Sequence, residues 1–227
     1  MTNQTAKLDW RDGRVPISTQ FDDPYYSLDN GLAETRHVFL DGNDLPDRFG
    51  GIFQIAELGF GTGLNLLVTW ALWDEAGQPG ALHFTSFEAF PMAKEDMRSA
   101  LEHFPEVSSY AQVLLDHWTP GDAATQLPNG PMLEVIVGDA RQTVTAWQGQ
   151  ADAWFLDGFS PAKNPELWEP DLLTEVGKHT KPGGTAATYS AAGHVRQSLT
   201  NAGFTVTRTP GFGRKRHMTR ARIDYAE

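Results

Sequence analysis

The chain has 227 residues, a formal net charge of −11 and no cysteine. That length suits one α/β domain with a sizeable core, the missing thiols exclude a disulfide framework and a thiolate zinc site, and the acidic balance argues against general adhesion to nucleic acid. No apolar run is long enough to span a membrane, Met1 to Trp10 lack a signal-peptide core, and the seven histidines show no ligand spacing, so the reading is a cytoplasmic protein without a metal site.

Residues 9 to 50 precede the first clear core strand, so 1–50 reads as an N-terminal extension packed on a single domain spanning 51–227. Gly13, Pro16, Asp22-Asp23-Pro24 and Asn30-Gly31 punctuate it with turns. Pro16 to Phe21 suits a short strand, and Leu32 to Phe39 suits either a helix or a strand. Phe21, Tyr25 and Tyr26 cluster beside Asp22 and Asp23. Aromatics near carboxylates suit a cationic cofactor or a stacked base, and equally an aromatic cap over a sheet edge.

The organising stretch is Gln54 to Asn65. A short apolar run leads to Glu57, then glycines alternate at Gly59, Gly61 and Gly63 with Phe60 and Thr62 between them. Leu64, Leu67, Val68, Ala71 and Leu72 follow at helical spacing. This predicts strand, tight turn and helix, with free amide groups at the helix start. A dinucleotide fingerprint is G-x-G-x-x-G; the spacing here is G-x-G-x-G behind an acid. A carboxylate at that place repels a pyrophosphate but favours S-adenosylmethionine (AdoMet), which carries an ammonium and a sulfonium. A turn that only packs helix on strand is the plainer alternative.

Three more strands end in acids. Leu82 to Glu88 places Glu88 where an acid accepts hydrogen bonds from both ribose hydroxyls. A helix with Ala93, Met97, Ala100, Leu101 and Phe104 on one face follows, then a helix over Ser108 to Trp118 and the turn Pro128-Asn129-Gly130-Pro131. Met132 to Val137 runs into Gly138-Asp139-Ala140, ahead of a short helix from Arg141 to Trp147. Ala153 to Leu156 is fully apolar, as a central strand should be, and leaves the sheet at Asp157 into Gly158-Phe159-Ser160-Pro161-Ala162-Lys163-Asn164-Pro165.

After a helix with Leu167, Trp168, Leu172, Leu173 and Val176, Lys181-Pro182-Gly183-Gly184 breaks the chain before a strand from Thr185 to Tyr189. A helix from His194 to Ala202, a strand from Phe204 to Thr207, the turn Gly211-Phe212-Gly213 and a strand from Ala221 to Tyr225 complete it. Arg208, Arg214, Lys215, Arg216, Arg220 and Arg222 form a basic segment with no acid among them, read as a local RNA contact or a solvated loop. Alternating elements predict a mostly parallel sheet covered on both faces. The closing strands, with no helix between them, predict a hairpin with one antiparallel strand.

This order resembles the class I AdoMet-dependent methyltransferases, with a Rossmann-like, mostly parallel seven-stranded sheet and a C-terminal antiparallel strand. More narrowly, Ser18–Ser27, Glu34–Arg36, Glu57–Asn65, Ser86–Glu88, Trp154–Pro165 and Gly211–Arg216 resemble the methyltransferase domains of the MnmC family of bacterial tRNA-modifying enzymes and their stand-alone relatives. The resemblance implies methyl transfer from AdoMet to the amine of 5-aminomethyl-(2-thio)uridine at the wobble position of tRNA. An FAD-dependent oxidase, fused or separate, would prepare that amine. Asp157 is then the residue that orients the amine and takes a proton. Glu57 and the Gly59–Gly63 backbone, with Phe60, Thr62 and Asn65, hold the methionine end. Glu88 takes the ribose, and Asp139 and Ala140 lie by the adenine. Phe21, Asp22, Tyr25 and Phe159 face the base; Lys163, Arg214, Lys215 and Arg216 face phosphates. Rival readings are a methyltransferase of a small molecule or protein, an NAD-dependent oxidoreductase, and a non-catalytic RNA-binding module.

Overall fold

The computed structural model describes residues 5–27 and 30–225. Three short strands, β1 (Leu8–Arg11), β2 (Val15–Ser18) and β3 (Asp23–Pro24), form an antiparallel meander. Helix α1 (Gly31–Thr35) follows, its first turn capped by Asn30 Oδ1, which accepts the Ala33 amide at 2.9 Å. It continues through a π-helical turn over Arg36–Leu40, so the segment from Leu32 to Phe39 is helical.

The rest alternates: β4 (Ile52–Leu58), α2 (Leu64–Glu75), β5 (Ala81–Glu88), α3 (Lys94–Leu101), α4 (Ser108–Asp116), β6 (Thr125–Gln126), β7 (Met132–Val137), α5 (Ala140–Ala146), β8 (Ala151–Leu156), α6 (Pro170–Lys178), β9 (Thr180–Thr188), α7 (Gly193–Asn201), β10 (Thr205–Pro210) and β11 (His217–Arg222). The large sheet has eight strands in the order β10-β11-β9-β8-β4-β5-β7-β6. The β9-β8-β4-β5-β7 pairings are parallel, and β11 lies antiparallel to β9 and β10. The predicted seven-stranded pattern is therefore present, with the two-residue β6 added antiparallel at the β7 edge.

Strand alternation divides the core into two layers. Ile55 and Phe155 face a layer shared with α2, α3 and α4, while Ala56, Trp154 and Leu156 face one shared with α5, α6 and α7. Val38, Phe39 and Leu40 from the π-helical turn lie in the first layer, so the N-terminal segment completes the core instead of resting on it. This explains why α2 is buried almost all round, with nine of its twelve residues inaccessible.

Several boundaries differ from the sequence reading, three of them with a clear local cause. The β2 strand stops at Ser18, because Asp22 turns the chain back with its amide on the Ser18 carbonyl at 2.8 Å. The Lys181–Gly184 stretch does not end a segment. It bulges within β9, where Gly183 donates to the Ile223 carbonyl at 3.0 Å and Gly184 accepts from Ile223 at 2.9 Å. The last strand runs from His217 to Arg222 instead of from Ala221 to Tyr225. Its Met218 and Ala221 are buried, and Arg220 and Arg222 both pair with Asp44.

Candidate active site

The carboxyl ends of β4, β5, β7, β8 and β9 open into one cleft of 840 Å³, within the range of about 300–1,000 Å³ typical of ligand sites. Ligands of open α/β sheets bind at this edge. Each strand delivers one element of the lining: the Gly59–Thr62 turn, Glu88, Asp139, Asp157 and Tyr189. The N-terminal segment closes the opposite side with Phe21, Asp23, Tyr25, Glu34 and Thr35.

The glycine turn is held from two sides. Gly59 has φ +85°, and a Cβ there would sit 3.3 Å from the Cα of Gly158, so the β4 and β8 loops meet through two glycines. The Gly61 amide donates to Glu88 Oε2 at 3.1 Å, and the Phe90 amide donates to Oε1 at 2.8 Å. Burial raises the Glu88 carboxyl above its ordinary value, opposed by these amide bonds. Backbone amides of the glycine turn and of the segment after β5 thus fix this carboxylate at the cleft wall.

Asp157 lies on the cleft floor, just beyond the apolar run Ala153–Leu156 of β8. Its Oδ2 accepts from Asn65 Nδ2 at 2.8 Å, and its Oδ1 accepts from the Gly158 amide at 2.8 Å. The same Asn65 amide nitrogen donates to Glu57 Oε1 at 2.8 Å, and Ser86 Oγ donates to Glu57 Oε2 at 2.7 Å. Thr35 Oγ1 donates to Asn65 Oδ1 at 2.8 Å, fixing which way the amide points. A hydrogen-bonded line thus runs from the core to the cleft, Ser86 to Glu57 to Asn65 to Asp157. Burial, opposed by the Asn65 and Gly158 bonds, pushes the Asp157 carboxyl up to about 6. Burial also raises Glu57 well above its ordinary value.

The cleft has an aromatic wall. Phe21 stacks on Phe159 with centroids 4.8 Å apart, and Tyr25 meets Phe159 edge-on at 5.0 Å. Burial, then the charge of Glu88, raises the Tyr25 hydroxyl and keeps it protonated. Asp23 Oδ2 accepts the Ser160 amide at 2.8 Å, tying the N-terminal segment to the loop after Asp157.

The structure gathers Phe21, Tyr25, Gly59, Phe60, Gly61, Thr62, Asn65, Glu88, Asp139, Ala140, Asp157, Phe159, Arg214 and Lys215 around this one cleft. Several expected residues do something else. Glu57 does not line it: on β4 it shares the face of Ile55, which points beneath the first turn of α2, so it is fully buried and reaches Asn65. Gly63 lies behind the turn with φ +79° as the residue before α2. Asp139 caps α5, accepting the Arg141 amide at 2.9 Å, and is bridged by the Arg141 guanidinium, which lowers its carboxyl. Lys163 is bound to Asp22 at the rim, outside the lining. Arg216 also lies outside it; burial followed by Arg208, Arg216 and Arg196 lowers the neighbouring His217.

Two residues to which the sequence assigned no role stand out. Glu34 and Tyr189 both line the cleft and both engage Lys215, whose ammonium lies 2.7 Å from Glu34 Oε1 and 3.9 Å above the Tyr189 ring. The strand-end position of Tyr189 was the available signal for it; Glu34 had none beyond its place in the Glu34–Arg36 motif.

The lining suits a ligand with a diol and a positive charge. Glu88 and Asp157 present acceptors, the Gly59–Thr62 turn lets backbone approach closely, and a pyrophosphate would meet carboxylates on two sides. Among the described residues no group of three or more His, Cys, Asp or Glu is arranged to hold a metal, and no helix is long and apolar enough to cross a membrane.

Comparison with known proteins agrees with this chemistry. The profile of a family described as S-adenosyl-L-methionine-dependent methyltransferase matches residues 105–224. The bifunctional protein MnmC of tRNA 5-methylaminomethyl-2-thiouridine biosynthesis from Caulobacter vibrioides is 47% identical over 95% of the chain and 38% of its own length. Its counterpart from Pseudomonas aeruginosa is 43% identical over 95% of the chain and 34% of its own length. The chain therefore spans little more than a third of these curated relatives. The crystal structure of MnmC2 from Aquifex aeolicus superposes with a TM-score of 0.75 at 28% identity, covering 100% of this chain and 74% of that one.

Proposed function

We propose, from the premise that this chain belongs to the family of S-adenosyl-L-methionine-dependent methyltransferases, that it methylates the amine of 5-aminomethyl-(2-thio)uridine at wobble position 34 of tRNA. The product is 5-methylaminomethyl-(2-thio)uridine. The biosynthetic name carried by the curated relatives supports the substrate, and the Asp157 carboxylate on the cleft floor is the observation that carries the chemistry.

AdoMet supplies an electrophilic methyl on a sulfonium. The residues that would hold it are the Gly59–Thr62 backbone with Asn65 at the methionine end, Glu88 at the ribose hydroxyls, and Asp139 and Ala140 near the adenine. The attacking nitrogen must be a neutral amine, because an ammonium has no lone pair. Among the described residues each Asp157 oxygen has one hydrogen-bond partner and keeps a lone pair for the amine. Asp157 orients that amine and accepts the proton that the bound ammonium must lose before it can attack. Asn65 holds the carboxylate in place while Glu57 and Thr35 hold Asn65. Positioning of the nucleophile supplies most of the remaining rate.

Phe159 and Tyr25 offer rings for the extruded base, with Phe21 and Asp22 beside them. Phe21 covers one face of Phe159, so a base stacks on the other face or displaces Phe21. Lys163, Arg214, Lys215 and Arg216 then meet phosphates of the anticodon loop. The shared core of the 1–50 segment and residues 51–227 supports a single catalytic domain. An FAD-dependent oxidase, fused or separate, prepares the amine, and a tRNA substrate sets the reaction in the cytoplasm.

The test is Asp157→Asn. AdoMet binding is expected to persist while methyl transfer falls by about 10²–10⁴-fold, the usual contribution of a general base. Undiminished transfer by this variant would remove Asp157 from the chemistry.

A further inference from the structure

Resting on the reaction just proposed, we infer that Glu34 and the face of Tyr189 form the ammonium subsite for the substrate, and that Lys215 occupies it until the substrate arrives. The Lys215 ammonium lies 2.7 Å from Glu34 Oε1 and 3.9 Å from the centroid of the Tyr189 ring. A carboxylate beside an aromatic face is the arrangement that binds a primary ammonium.

The arrangement belongs to the reacting end of the cleft. Tyr189 donates its hydroxyl to the Gly158 carbonyl at 2.7 Å, one residue beyond Asp157. The charges of Glu34 and Lys215 both reach Asp157, and those of Asp157 and Glu34 both reach Tyr189. Glu34 is the deeper partner: its side chain is 14% exposed, against 44% for Lys215. An exposed ion pair of a rim lysine contributes little to stability, so fold stability is a weak reason for it. Removing Lys215 leaves a recessed carboxylate, an aromatic face and, beside them, Asp157.

The substrate amine carries one positive charge at neutral pH, like a lysine side chain. Exchanging Lys215 for it keeps the pocket's charge balance unchanged. Lys215 sits in the turn between β10 and β11, with Arg214 and Arg216 on either side, so its release moves one more cation to the face that meets phosphates. Backbone capture and amine recognition are then coupled: phosphate draws Lys215 off Glu34, and the amine replaces it. Once bound, the ammonium loses a proton to Asp157. That breaks an N–H bond, forms an O–H bond and leaves the lone pair on nitrogen for transfer.

The experiment is direct binding of two nucleosides to the full chain saturated with S-adenosylhomocysteine, alongside a separate assay of methyl transfer to tRNA. The probes are 5-aminomethyluridine and 5-hydroxymethyluridine, which differ only in the group that reaches the subsite. The wild type is expected to prefer the amine by about tenfold or more. Glu34→Gln loses that preference, whereas Lys215→Met keeps or increases it, because the competing cation is gone. An ion pair serving only to hold the turn predicts that both substitutions act alike and leave the ratio unchanged. That outcome, or no amine preference in the wild type, overturns the inference. Failure of the wild type to methylate aminomethyl tRNA, with the amine preference intact, overturns the reaction instead.

Discussion

At the scale of single residues, Asp157 sets the pH dependence. Its carboxyl is raised to about 6 from an ordinary 3.8, first by burial and then by Glu34, against the lowering effects of Asn65, Gly158 and Lys215. Only the ionised form accepts a proton. The turnover rate is therefore expected to fall as pH drops through about 6, approaching about tenfold per pH unit below it. Asn65→Ala removes a bond that favours the charged form and moves this midpoint upward, read from pH–rate profiles of the two proteins. Glu88→Ala is expected to weaken AdoMet binding by about 10–100-fold, the loss of about 1.5–3 kcal/mol for hydrogen bonds to a charged acceptor, measured by calorimetric titration. Asp157 and Glu88 were legible because a strand-end acid needs only its position in the chain. The same signal misplaced Glu57, since it does not say which face of the strand a residue occupies. Lys163 and Lys215 read as free cations because their partners lie 141 and 181 residues away.

At the scale of elements, the β4 and β8 loops work as a pair. Gly59→Ala places a side chain at φ +85°, costing about 1–2 kcal/mol, and drives a methyl to 3.3 Å from the Gly158 backbone. Methyl transfer is expected to fall more than thermal stability, since the displaced segment carries Asp157; a melting shift with full activity would contradict this coupling. The turn between β10 and β11 tests the RNA interface. Charge reversal at Arg214 and Arg216 is expected to weaken tRNA binding and to reduce its salt slope by about 0.7–0.9 for each phosphate no longer neutralised. Equal affinity and slope would remove the turn from the interface. Most elements could be read from apolar periodicity and glycine breaks. The start of β11 could not, because a run of basic residues concealed two buried positions, Met218 and Thr219, and an arginine, Arg220, whose partner, Asp44, lies far back in the chain.

At the scale of the molecule, the N-terminal segment is the part least visible in the sequence. It has no long periodic element, yet it supplies core residues at Val38, Phe39 and Leu40 and one wall of the cleft. Its meander, helix and turns pack against α2, β9, Phe53 of β4 and the loop after β8, which local sequence does not record. The cleft it closes brings a cofactor cradle, an aromatic wall and a raised carboxylate together at one sheet edge in a chain of net charge −11. The most direct measurement is methyl transfer from labelled AdoMet to tRNA isolated from cells lacking this activity, followed by nucleoside analysis. Conversion of 5-aminomethyl to 5-methylaminomethyl uridine is the predicted result. AdoMet binding with no label appearing on that nucleoside would contradict the substrate assignment while leaving the fold and cofactor intact.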